Sequence, residues 1–274
     1  MRAAHGWVAV WLALLILPAA AMPSRVVSTF LCTDEYVFRL LPRERIAALS
    51  FEATDRNPVV STIADPARGI PTIRPSAETV LDRRPDLVVM YEFTMPVLHA
   101  QLARDGVAVL DVPWANSLAD IRRVTLLLGD KLGVPGRARA LLAEMDAKLA
   151  RVARVSPPVK TLIFEANGYT GAGAVTDEMM AQAGLIDIAP SFKPTRLDTV
   201  PVEKVLADPP ELLILSGDRA TTNSRADLVQ HHPALAALKS TVAWARLTPL
   251  LCPGPWSADA AATFAELGAK ARSR

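Results

Sequence analysis

Residues 77–90 read AETVLDRRPDLVVM: a short helix, a proline break and a buried strand. Residues 202–215, VEKVLADPPELLIL, say nearly the same thing again. Five of the fourteen positions coincide (Glu, Val, Leu, Pro and Leu), and each copy carries glutamate at its second place, Glu78 and Glu203. A helix-proline-strand unit is common in α/β proteins, so the repeat gains weight from what surrounds it. Both copies sit in runs where strands and helices alternate, which argues for βαβ units and parallel sheets.

In the first run the pattern predicts strands at 25–29, 45–50, 87–90 and 107–112, with helices at 34–41, 78–83 and 97–104. In the second it predicts strands at 161–165, 212–215 and 245–250, with helices at 177–183, 202–207 and 257–269. Between them Ser117, with Asp120 three residues on, starts a helix that Gly133 ends. A helix over 137–155 follows, with Leu141, Met145, Leu149 and Val152 on one stripe and no Gly or Pro inside. Ser156-Pro157-Pro158 stops it. A flexible linker would be Gly/Ser-rich, so this segment reads as a stiff spacer between two lobes.

A chain of 274 residues, 51% hydrophobic and 21% charged, has material for two such lobes. Its formal charge of +2 gives no footprint for nucleic acid or a polybasic membrane patch. At the N-terminus Arg2 and His5 precede an apolar run, Trp7 to Leu17, then Pro18 and small residues. That is the form of a secretory signal peptide over 1–21, and the run is shorter than the ~20 residues of a membrane-spanning helix. The expected organisation is a signal at 1–21, a lobe at 22–135, a linking helix at 136–156 and a second lobe at 157–274. The expected compartment is the periplasm, with the mature chain soluble.

The chain resembles the helical-backbone (class III) periplasmic binding proteins that feed ABC importers, among them the vitamin B12 and ferric-siderophore binders. RVVST at 25–29 carries the resemblance, together with both copies of the repeat and the stretch from ANSLADIRRV into the spacer helix. The resemblance implies two Rossmann-like α/β lobes with parallel sheets, joined by a single long rigid helix. It implies a monomer that holds a ligand between the lobes and delivers it to a permease dimer, with no cofactor of its own. It also implies that Glu78 and Glu203, one per lobe, dock onto arginines of that dimer. Read from the residues alone, each is an acid in a first helical turn, where the helix dipole favours it.

In open parallel sheets ligands bind beyond the carboxyl ends of strands. The segments there hold Tyr36, Phe51, Tyr91, Phe93, Trp114, Tyr169 and Trp256, with Arg56 and Arg219. An aromatic cleft suits a large, flat ligand: cobalamin, a ferric siderophore or haem. An anionic siderophore would call on Arg56, Arg196 and Arg219. A bare metal ion is the alternative, needing three or four converging His, Asp, Glu or Cys ligands, and Cys32, Asp34, Glu35 and Cys252 are the candidate cluster. Cys32 and Cys252 each follow a predicted strand, one per lobe, so a disulfide between them is open alongside free thiols. An exported enzyme is the other rival, but no G-x-S-x-G, Walker or H-E-x-x-H motif is present.

Overall fold

In a computed structural model, which describes residues 22–56, 60–170, 173–192, 199–219 and 225–273, the two copies of the repeat fall at equivalent places in two parallel sheets. The signal segment and Arg196 lie outside the described residues.

The first lobe runs β1 (Val26–Ser28), α1 (Leu31–Leu40), β2 (Ile46–Ser50), β3 (Thr72–Ile73), α2 (Ala77–Leu81), β4 (Leu87–Tyr91), α3 (Pro96–Arg104) and β5 (Val109–Val112). Its sheet order is β3-β2-β1-β4-β5, all parallel. Two helices follow, α4 (Leu118–Lys131) and α5 (Pro135–Ala150). The second lobe is β6 (Val159–Phe164), α6 (Ala174–Ala183), β7 (Leu185–Asp187), α7 (Val202–Ala207), β8 (Leu212–Ser216), α8 (Pro233–Ala236), β9 (Thr241–Ala245), α9 (Thr248–Leu251) and α10 (Ala258–Arg272). Its sheet, β7-β6-β8-β9, is also parallel. The first strand of each lobe is flanked by the second on one side and by the strand of the repeat on the other, so β4 and β8 correspond, as do α2 and α7.

Local chemistry sets the element ends. Ser76 caps α2: its hydroxyl accepts from the Thr79 N–H, and the Thr79 hydroxyl accepts from the Ser76 N–H in return. Ser117 does the same work for α4, accepting from the Asp120 N–H at 3.0 Å. The spacer helix is shorter than the sequence predicts. It opens two residues early because Pro135 suits a first helical position, and it closes at Ala150. Beyond it the chain straightens to reach the second sheet, where the N–H groups of Val155 and Val159 donate to the carbonyls of Ala183 and Gly184. That approach is close enough that a Cβ at Gly184 would meet the Val155 oxygen at 2.3 Å.

Packing makes α5 common to both lobes. Ala138, Leu141, Leu142 and Met145 are buried in the first lobe's core, while Leu149 and then Val152 pack against the second lobe's. Each fully buried side chain of this size contributes roughly 1.5–3 kcal/mol. Leu118, Leu149 and Leu250 touch both cores. A covalent tie adds to this, a disulfide between Cys32 on α1 and Cys252 after α9, with Cα atoms 4.9 Å apart.

Other expectations also need correction. The last strand is β9 at 241–245, not 245–250, because TVAWA holds the β-branched and aromatic residues whereas Pro249 cannot donate to a ladder and sits in the first turn of α9. The helix expected at 34 begins at Leu31. The edge strands β3 and β7, two and three residues long, were not foreseen, being too short to show a period.

Candidate functional site

The second sheet reverses its winding between β6 and β8, since β7 lies on one side of β6 and β8 on the other. Such a switch point leaves a crevice beyond the strand ends, where ligands of open α/β sheets sit. A cleft of about 650 Å³ occupies that place. Its floor is Ile163, Glu165 and Ser216, its second-lobe wall is Tyr169, Thr170 and the 247–251 segment, and its first-lobe wall is Trp114, Ala115 and Asn116.

Trp114 follows β5 behind Pro113 and is 43% exposed. Its ring rests on that of Tyr91 at 4.3 Å between centroids, and Phe30 meets Tyr91 edge-on at 5.6 Å. Tyr91, the last residue of β4, is itself buried, so a stack rooted in the core presents the indole to the cleft. Opposite it, Tyr169 is 38% exposed at the end of a turn in which Asn167 and Gly168 both have positive φ, 56° and 74°. Gly168 has no alternative there, because a Cβ would strike the Val200 carbonyl at 2.6 Å.

The floor is held by hydrogen bonds. The Glu165 N–H donates to the Tyr169 carbonyl at 2.8 Å, closing the turn. The buried Gln230 spends its amide nitrogen on the carbonyls of Phe164 and Ser216, both at 2.9 Å, clamping the ends of β6 and β8 together. Burial pushes the Glu165 carboxyl above its ordinary range, against a hydrogen bond with Ser216 that lowers it. At the junction with the first lobe, Glu178 of α6 accepts from the Leu118 N–H at the start of α4, 2.6 Å away.

Of the nine ligand residues expected from sequence, Trp114 and Tyr169 line this cleft and Tyr91 supports it. Tyr36 and Trp256 do not reach it. Both are buried, edge-to-face at 4.9 Å, with the Tyr36 hydroxyl donating to the Pro253 carbonyl and the Trp256 N–H to the Cys252 carbonyl. Tyr36 was misplaced because α1 begins early and turns it inward, Trp256 because the final strand ends before the turn that folds it onto α1. Phe51 carries the Arg74 guanidinium over its ring at 4.1 Å, outside the cleft. Phe93 is 95% exposed on a turn where it and Met95 have positive φ, and it too lies outside the lining. Arg219 is exposed and Arg56 pairs with Asp65 in a separate recess, neither lining the cleft.

The candidate metal cluster is not assembled. Both cysteines are in the disulfide. Asp34 is buried, accepts from the Ser50 N–H and hydroxyl, and is pushed by burial up to about 7 against hydrogen bonds from Ser28 and Ser50. Glu35 is taken by Arg39 and by the Thr62 N–H and hydroxyl. Sequence reasoning missed Gln230, which sits in no motif, and ended a strand on Glu165 where the structure starts the cleft.

A family model described as periplasmic binding protein matches residues 26–243. Among solved structures, the periplasmic haem-binding protein RhuT from Roseiflexus sp. RS-1, in apo form, superposes with a TM-score of 0.68 at 24% identity, covering 90% of this chain and 98% of that one. The periplasmic haem-binding protein HutB of Vibrio cholerae gives 0.70 at 16%, covering 89% and 98%. The periplasmic vitamin B12-binding protein BtuF of Vibrio cholerae gives 0.63 at 18%, covering 92% and 99%. No curated relative matches the chain in sequence.

Proposed function

The chain belongs to the periplasmic binding protein family, and on that premise we propose that it captures a metal chelate (haem, a corrinoid or a ferric siderophore) between its lobes and passes it to an ABC importer. The cleft carries this reading. At about 650 Å³ it has the size of a small-molecule site, and half-exposed aromatic rings face it from opposite lobes at strand ends. Proteins of the same fold whose names record haem and vitamin B12 as ligands support it. The bare-ion alternative is weaker, since its candidate ligands are engaged with one another or with neighbours. We read the protein as a binder, not an enzyme, and as a monomer of the periplasm. Among the described residues no helix is long and apolar enough to cross a membrane.

Glu78 and Glu203 complete the reading as docking residues. Each is exposed at the second position of its helix, α2 or α7, in corresponding places of the two lobes. Neither makes an ion pair among the described residues. A carboxylate under each lobe lets a pseudo-symmetric protein sit astride a symmetric permease dimer, with rim charges fixing the register.

Calorimetric titration with haem, cobalamin and a ferric hydroxamate tests the cleft. Trp114→Ala and Tyr169→Ala should each weaken capture of the preferred chelate by roughly 1–3 kcal/mol, about 5- to 150-fold. Wild-type affinity in both variants would move the site elsewhere.

A further inference from the structure

The residues that line the cleft include two acids, Glu165 and Asp227, and among the described residues no lysine, arginine or histidine. That balance is unexpected in a protein of formal charge +2 with 30 basic residues. The cation next to the lining in sequence is engaged elsewhere. Arg246, which precedes the cleft-lining Leu247, pairs with Asp218 at 2.7 Å and borders the separate recess of Arg56. Glu165 stands at the switch point itself, where β6 ends, and its position is fixed from three sides. Its N–H is bonded to the Tyr169 carbonyl, its carboxyl to the Ser216 hydroxyl, and the strand ends beneath it are clamped by Gln230. The residue is partly buried and lines the cleft beside Ile163, where charges are screened less than on the open surface.

The geometry points to Glu165 as a specificity-determining residue: it accepts hydrogen bonds from amide or hydroxyl groups of the chelate and turns away negatively charged ones, so the cleft takes neutral or cationic chelates. This rests on the chelate reading above. An anionic group set about 5 Å from Glu165 either bears its repulsion or forces a proton onto it. At the effective dielectric of a partly buried site, either route weakens binding on the order of 100-fold. An amide or hydroxyl edge meets no such barrier. The Thr176 hydroxyl and the Asn116 amide, which line the same cleft, can donate or accept, and leave the sign of the selection to Glu165.

The test compares shape-related chelates of different charge on the wild-type protein and on Glu165→Gln, which keeps the shape and an acceptor oxygen but removes the charge. One pair is a neutral ferric trihydroxamate, ferrichrome, against a trianionic ferric tricatecholate, ferric enterobactin. The other is cyanocobalamin, rimmed with amides, against a derivative in which one amide is hydrolysed to a carboxylate. Haemin serves as a further probe. In at least one pair the wild type should favour the uncharged member by about 10-fold or more, and Glu165→Gln should shrink that ratio by about 10-fold. An unchanged ratio, a preference for the anionic member, or binding of haemin alone would overturn the inference while leaving chelate capture standing. Binding of none of the five would overturn both together.

Discussion

Glu78→Arg with Glu203→Arg is expected to abolish chelate uptake in cells that carry the importer, while ligand affinity and thermal stability stay close to wild type. Neither position lines the cleft and each is solvent-exposed. A carboxylate in the first turn of a helix is worth about 0.3–1 kcal/mol to that helix, too little for its loss to unfold either lobe. Two reversed charges under a docking face act differently, since each converts an attraction into a repulsion of several kcal/mol and blocks formation of the complex. The readout is accumulation of labelled chelate. Normal transport by the double variant would remove the docking role, and loss of ligand binding would mean that the cleft has been misplaced.

The disulfide should have the largest effect on stability. Cys32 and Cys252 are separated by 220 residues in sequence, so the bridge closes a loop that spans nearly all of the described chain. Restricting so large a loop in the unfolded chain stabilises the fold by up to about 5 kcal/mol in the loop-entropy treatment, and native bridges commonly give 2–5. Both sulfurs are buried among core residues of the first lobe, with Trp256 and Ala258 from the second packed alongside. Replacing both cysteines by serine should therefore lower the unfolding free energy by roughly 2–5 kcal/mol in a denaturant titration. Together with the shared helix α5, the bridge also limits how far the lobes can close on a ligand. An unaltered denaturation midpoint would show that the bridge does not stabilise the fold.

Much of the architecture was legible because burial imposes periods on sequence. The repeat around Pro85 and Pro210 marks the strand beside the first strand of each sheet, and the stripe on α5 marks the helix shared by both cores. Short elements escaped because they carry no period: β3 and β7 are set by their neighbours' edges. The site was only partly legible. Trp114 and Tyr169 line the cleft, as residues placed just after strand ends can, and the rule that ligands gather at strand ends is physical. Tyr36 and Trp256 satisfied the same rule on paper, but an error of three residues at the start of α1 and of five in the last strand turned both into core. Gln230 was invisible, since its role as a clamp between Phe164 and Ser216 exists only once three distant segments meet. Glu165 shows the opposite failing. It was visible as a residue, but an acid's meaning depends on the groups around it, which among the described lining residues include no cation, and that is a property of the assembled cleft.

The central claim is that this chain holds one metal chelate between its lobes. Native mass spectrometry on the protein purified from its own cells, with a visible absorption spectrum of the same sample, tests it most directly. The expected result is a single adduct per chain with the bands of a tetrapyrrole or ferric complex, lost when Trp114 and Tyr169 are both replaced by alanine. A bare chain with no visible absorption, unchanged after incubation with haem, cobalamin and ferric siderophores, would contradict it.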